Sequence, residues 1–105
     1  MAQFDVYVNP NPDSRQSVPF VVDVQSGLID TLPTRLVMPL SRIGAAQDRL
    51  PVNLCPLMEI EGEPLTLMPH LAAPVAARLL RKPVVSVAHS AGEIGASMDA
   101  VLSGF

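Results

Sequence analysis

The chain has 105 residues, seven of them basic and ten acidic for a formal charge of −3, with 49% hydrophobic and 16% charged side chains. That balance fits one folded domain spanning residues 1–105 and excludes a disordered chain. The acidic excess argues against a duplex-DNA binder that works by neutralising phosphates. Eleven prolines, about twice the usual share, are spread along the chain and exclude a helical bundle or coiled coil.

Phe4, Val6 and Val8 alternate with Gln3, Asp5 and Tyr7, a period of two that predicts a half-buried first strand with the first set facing inward. Residues Asn9 to Pro19 hold three prolines, two asparagines and an aspartate, the chemistry of a loop. Phe20-Val21-Val22-Asp23-Val24-Gln25 reads as a second strand, antiparallel to the first. Ser26-Gly27 and Asp30 mark a turn or bulge. Leu36, Met38 and Leu40 alternate along a third strand, where Pro39 suits an edge or a bulge because it has no N–H to give a neighbour. Residues 41–53 read as an irregular connection.

Leu57-Met58-Glu59-Ile60 and Leu65-Thr66-Leu67-Met68 flank Glu61-Gly62-Glu63-Pro64, a hairpin signal in which Gly62 can take a positive φ at the tip. Residues 71–82 fit either a helix after Pro74 or an extended crossover. Val84 to Val87 form a last short strand. Ser90 and Glu93 have the spacing of a capping box, in which each side chain takes a backbone N–H of the other. Ile94, Met98, Val101 and Leu102 follow as one apolar stripe of an amphipathic helix, and Gly104 suits the left-handed residue after its last turn. Short strands with one terminal helix predict an α+β, mainly β chain: a small curved or barrel-like sheet closed by a helix.

Reactive groups do not gather along the sequence. His70 and His89 lie far apart with no metal-ligand spacing around them, which speaks against zinc. Ser26 stands near Asp23 and Asp30, yet a turn serine is the plainer reading because no histidine is placed to join it. Arg78, Arg81 and Lys82 form the one basic cluster, read as a solvated edge. Cys55 lies in the apolar run from Leu54 to Met58 and reads as a small buried hydrophobe in a reducing compartment. The first residues have no leader pattern and no apolar run reaches the ~18 residues that cross a bilayer. The expectation is a cytoplasmic, soluble protein with no cofactor, no bound metal and no membrane.

The segments Gln3-Phe4-x-Val6-Tyr7, Val22-Asp23-Val24-Gln25-Ser26 with Ile29-Asp30-Thr31, and Arg35-x-Val37-x-Pro39-Leu40, with a terminal Gly104 followed by one large apolar residue, resemble the CcdB toxin family from Gln3 to Phe105. The resemblance implies an SH3-like β-barrel of the CcdB/MazF type with a C-terminal helix, and a homodimer with both helix ends near its two-fold axis. It implies a toxin and not an enzyme, one that binds the dimerisation domain of the DNA gyrase A subunit and traps the cleaved-DNA state. It further implies neutralisation by a CcdA-like antitoxin through a disordered segment.

Carried over position by position, the implied gyrase contacts are Gln3, Phe4 and Tyr7 on the first strand, Ser26 and Leu28 in the turn after the second, and Asp99, Ser103, Gly104 and Phe105 on the helix and terminus. Two of them depart from the well-studied pattern: Ser103 replaces a tryptophan that stacks on a gyrase arginine, and Asp99 replaces an asparagine. Asp13, Ser14 and Arg15 in the long loop are the implied antitoxin contacts, since an arginine suits an acidic peptide. Two alternatives stay open. One is the same fold with antitoxin binding but without gyrase poisoning; the other is a MazF-like endoribonuclease drawing an arginine from Arg15, Arg35 or Arg42.

Overall fold

A computed structural model describes residues 2–29, 31–42 and 54–104; most of the 41–53 connection, Asp30 and Phe105 lie outside them. Among the described residues, seven strands form a mostly antiparallel, nearly closed barrel: β1 (Asp5–Val8), β2 (Phe20–Asp23), β3 (Thr34–Ser41), β4 (Leu57–Ile60), β5 (Glu63–Leu67), β6 (Ala73–Ala76) and β7 (Val85–Ser86). They run in the order β4-β5-β3-β2-β1-β7, with β6 also on β3. Helix α1 (Ala91–Ser103) follows β7. The fold class is therefore the one the sequence predicts, α+β and mainly β, a small barrel with a C-terminal helix.

β1 and β2 pair antiparallel, Val6 opposite Val22, and β2 continues onto β3 with Val22 opposite Met38. This row fills the barrel interior with Leu40, Met58, Ile60, Leu65, Leu67, Val87 and Ile94. The inward set predicted for β1 is only partly right. Val8 is exposed, whereas Tyr7 is buried on the opposite face with Val21, Val37 and Leu80. The sheet is covered on both faces here, because the segment from β6 to Leu80 crosses its outer side. Period-two alternation therefore no longer sorts buried from exposed residues.

The same crossover settles residues 71–82. They form β6 and a single 3-10 turn at Ala77–Leu79, not a helix. β6 pairs with the first half of β3, Arg35 opposite Val75, while β5 pairs with its end, Leu40 opposite Leu67. Pro39 sits where β3 passes from one partner to the other, in a central strand and not at an edge. Val24 N–H donates to Leu36 O, so by antiparallel alternation the Val21–Pro39 pair exchanges no bonds, and the missing proline N–H faces that change of partner. Its carbonyl accepts from Met68 N–H at 3.0 Å.

The hairpin forms as expected but is tighter. Ile60 pairs with Glu63, and Glu61 and Gly62 both have positive φ, 52° and 82°, the two-residue turn whose twist matches antiparallel strands. Arg42 at the end of β3 binds Glu63 (Nε to Oε2, 2.6 Å) and donates to Gln16 O, which ties the long loop to the barrel.

Two expectations at the helix fail. Ser90 makes no side-chain cap: it ends a 3-10 turn, Ala88–Ser90, that runs directly into α1, and Ser86 Oγ accepts the Ala88 N–H before that turn. The apolar stripe is buried only in its first half, through Ile94 and the partly buried Met98 with Ser97 between them, while Val101 and Leu102 are exposed. Gly104 takes the left-handed conformation expected of it, φ 77°, and donates to Ala100 O.

An ion pair closes the outer side of the sheet. Arg35, 1% exposed, meets the fully buried Asp23 with Nε to Oδ2 at 2.8 Å and Nη2 to Oδ1 at 3.1 Å. Removing one partner leaves a buried charge uncompensated. Arg35→Met is expected to lower unfolding stability by about 3–5 kcal/mol, and Asp23→Leu combined with it to cost less than Arg35→Met alone. Urea unfolding of the variants checks both, and equal losses would refute the pairing argument.

Candidate functional surfaces

Phe4 begins the first surface. It precedes β1 with φ 71°, a conformation costly for a bulky side chain. Two backbone bonds hold it there: its N–H donates to Asp23 O, and its carbonyl accepts from Val87 N–H at 2.8 Å. The ring is half-buried against the core. Gln3 lies beside it, with Nε2 donating to Val24 O at 3.1 Å.

Across from them α1 brings Met98 and Asp99, and together these residues line a groove of about 280 Å³ with Val24 and Leu36 in its walls. Three of the sequence-predicted contacts, Gln3, Phe4 and Asp99, thus converge. Further along α1, Ser103 is exposed and its hydroxyl donates to Asp99 O at 2.6 Å; Gly104 follows, also exposed. Phe105 lies outside the described residues.

Ser26 and Leu28 do not line this groove; Leu28 lies in the 3-10 turn Gly27–Ile29 after β2 and Ser26 immediately before it. Ser26 Oγ accepts the Leu28 N–H at 3.1 Å, so Ser26 is the turn serine its context predicts. The turn leaves the Leu28 side chain 95% exposed. Leu28, Val101 and Leu102 are all apolar side chains in water, the kind of surface that marks an interaction site when it clusters.

Tyr7 is not brought to the Phe4 groove. It is 3% exposed and faces the other side of β1. Burial pushes its phenol above the usual range, with Asp5 and Asp23 adding to the rise and Arg35 opposing it.

Its outer side borders a second groove, of about 450 Å³, lined by Val8, Pro10, Arg15, Leu79, Arg81 and Lys82. Of the loop residues named from the sequence, Arg15 lines this groove and Asp13 and Ser14 do not. Asn9, buried, organises them: its Nδ2 donates to Ser14 Oγ and Val18 O, both at 2.9 Å, and its carbonyl accepts from Arg15 Nε at 2.6 Å. Asn11 Oδ1 accepts the Asp13 N–H. Sequence reasoning missed Arg81 and Lys82, which it read as a solvated edge. They are exposed, yet the crossover turns them toward Arg15; their separation from that loop in sequence hid this.

Of the arginines the ribonuclease alternative would use, Arg35 is sealed in its ion pair and Arg42 is engaged by Glu63. Among the described residues no three His, Cys, Asp or Glu side chains gather as metal ligands, and none of their helices is long and apolar enough to cross a membrane. Cys55 is buried beside Met68.

These features define a class: a small antiparallel β-barrel, closed by a terminal helix, whose candidate residues build surface grooves. A family model described as CcdB protein matches residues 3–104. The chain belongs to the CcdB family, and is thereby a toxin of the toxin–antitoxin type; that family poisons gyrase and does not act as a catalyst. A search of curated proteins finds no match.

Tyr7 is the sole tyrosine and the chain has no tryptophan, so ultraviolet titration of the phenolate reads it alone. Its midpoint is expected above 10.0, the ordinary value, and Asp5→Asn to bring it down. Because the folded-state value is the raised one, the stabilisation is complete below the unfolded pKa of about 10 and is lost as pH rises through the folded value. A midpoint at or below the ordinary value would contradict the burial.

Proposed function

We propose that the chain acts as a homodimer that binds the dimerisation domain of the DNA gyrase A subunit and traps the cleaved-DNA complex. Its contacts are Gln3, Phe4, Asp99, Ser103, Gly104 and Phe105, with Ser26 and Leu28 adding a separate contact from the turn after β2, and Tyr7 supports β1 from the opposite face. The observation that carries this reading is the groove in which Phe4, Gln3 and Asp99 meet beside the exposed end of α1, in a chain of the CcdB family. A two-fold dimer presents this surface twice, which matches a two-fold target. A CcdA-like antitoxin segment neutralises the toxin through Asp13, Ser14 and Arg15. The site of action is the cytoplasm, where gyrase works.

Purified protein is expected to inhibit gyrase supercoiling and to accumulate cleaved DNA. Absence of both, together with no binding to the A-subunit dimerisation domain at high micromolar concentration, would refute the proposal. Ser103 is small and exposed, so its place offers a partner little area. A tryptophan in a hot spot contributes about 2 kcal/mol or more, so Ser103→Trp is expected to tighten gyrase binding roughly 30-fold. Calorimetric titration against the dimerisation domain measures it, and an unchanged affinity would remove position 103 from the contact surface.

A further inference from the structure

A different chemistry lies outside both grooves, where the chain entering β4 meets the chain leaving β5. Cys55 and Met68 are both buried there, with Sγ and Sδ 4.0 Å apart. The same Cys55 Sγ lies 4.0 Å from His70 Nδ1. His70 is exposed, in the 3-10 turn Pro69–Leu71 that follows Met68. A thiol, a thioether and an imidazole thus gather around one sulfur, and none of the three residues lines either groove. Their backbone is fixed on every side. Leu67 N–H donates to Pro56 O at 2.9 Å, Met68 N–H to Pro39 O at 3.0 Å and Leu71 N–H to Met68 O at 3.0 Å. Pro56 and Pro69, each next to a sulfur residue, have a locked φ. Apolar packing accounts for the contact between the two sulfurs, but gives no reason for a ring nitrogen beside the thiol.

We propose that Cys55, Met68 and His70 form a three-coordinate site for a soft metal ion, copper(I). Thiolate and thioether sulfurs select soft ions, and imidazole suits copper as well. The spacing agrees. With bonds of about 2.3 Å to sulfur and about 2.0 Å to imidazole nitrogen, ligands about 120° apart lie about 3.7–4.0 Å from one another, against the 4.0 Å that Cys55 Sγ shows to both partners. On binding, the Cys55 thiol gives its proton to solvent and ligates as thiolate. His70 ligates through the Nδ1 lone pair, its ring proton on Nε2, and Met68 ligates with no proton change. The exposed imidazole marks the side from which the ion enters. Zinc fits less well: its usual ligands are thiolate, imidazole and carboxylate, and among the described residues no third group of that kind joins Cys55 and His70. Spacing of His, Cys and carboxylates alone, from which no metal is expected, leaves methionine out.

The test is an anaerobic titration of the full, reduced chain with copper(I) held by a coloured chelator, read as loss of the chelator complex's absorbance, with X-ray absorption to identify the ligands. The wild type is expected to take one copper(I) per chain, with two sulfurs and one nitrogen around it, and to melt at a higher temperature with the ion than without. Cys55→Ser is expected to abolish binding. Met68→Leu and His70→Ala are each expected to weaken it about tenfold or more, the loss that even a residue behind a ligand causes, and His89→Ala to leave it unchanged. Leucine conserves the volume of Met68 and His70 is exposed, so these two variants should keep the metal-free melting temperature and separate a lost ligand from a lost fold.

Failure of the wild type to draw copper(I) from the chelator would overturn the inference. So would binding that Cys55→Ser abolishes but Met68→Leu and His70→Ala leave intact, which is a lone thiol and not a site, or displacement of the copper by an equal concentration of zinc(II). Because the three residues lie outside both grooves, gyrase inhibition is expected to be the same in Met68→Leu and His70→Ala as in the wild type, and its absence from all of them would refute the proposed function without touching the metal site.

Discussion

The buried pair of Asp23 and Arg35 fixes the geometry from which the Phe4 groove and the Leu28 turn start. Besides the two bonds from Arg35, the Asp23 carboxylate accepts the Gln25 N–H at 3.0 Å; Arg35 Nη2 also reaches Gln25 O, and Gln25 Oε1 accepts the Leu36 N–H. The chain leaving β2 is thereby bound to the start of β3, and the turn that carries Ser26 and Leu28 springs from a rigid base. The backbone of the same Asp23 accepts the Phe4 N–H, which helps hold Phe4 at its positive φ. A single buried residue thus braces the Leu28 turn through its side chain and the Phe4 groove through its carbonyl. Desolvation makes such a pair a poor source of net stability compared with well-packed apolar residues, but its directional bonds fix the positions of three segments in a way that apolar contacts, having no direction, would not.

How much of this was legible depended on whether the cause was local. The Glu61-Gly62 turn and the left-handed Gly104 follow from backbone conformations that the residues themselves select, and both were readable. The strands β2 and β3 were readable because their inner rows are continuous. Tyr7 was not, because its burial comes from the crossover at residues 73–80, far away in sequence, covering the outer face. Pro39 misled for a related reason: a proline without an N–H is compatible with an edge, but equally with the point where a central strand changes partners. Ser90 and Glu93 had the spacing of a capping box, yet a preceding 3-10 turn delivers the chain already wound, and the serine never takes the extended conformation a cap requires.

The candidate surfaces show the same division. Gln3, Phe4 and Asp99 were named from a resemblance, and their convergence is a product of topology, since α1 returns to the start of β1 only after the whole barrel has been built. Arg81 and Lys82 had no such guide. A charged pair beside a proline carries the same pattern whether it faces open water or a groove, and only the pairing of β6 with β3 decides between them.

Residues 3–8, β1 and the two residues that lead into it, border both grooves, and their geometry keeps the grooves apart. Successive side chains of a strand point to opposite faces, so Val6 enters the barrel interior and Tyr7 the outer cluster, one residue apart. Phe4 and Gln3 border the helix side, while Tyr7 and Val8 border the crossover side. The two linings have no residue in common, and energies at sites without shared partners combine nearly additively. A partner in one groove therefore leaves the other's side chains untouched unless it shifts β1 itself, and β1 is held on both edges, by β2 and by β7. A chain built this way presents two separate surfaces along one short segment, residues 3–8, without either side-chain set compromising the other.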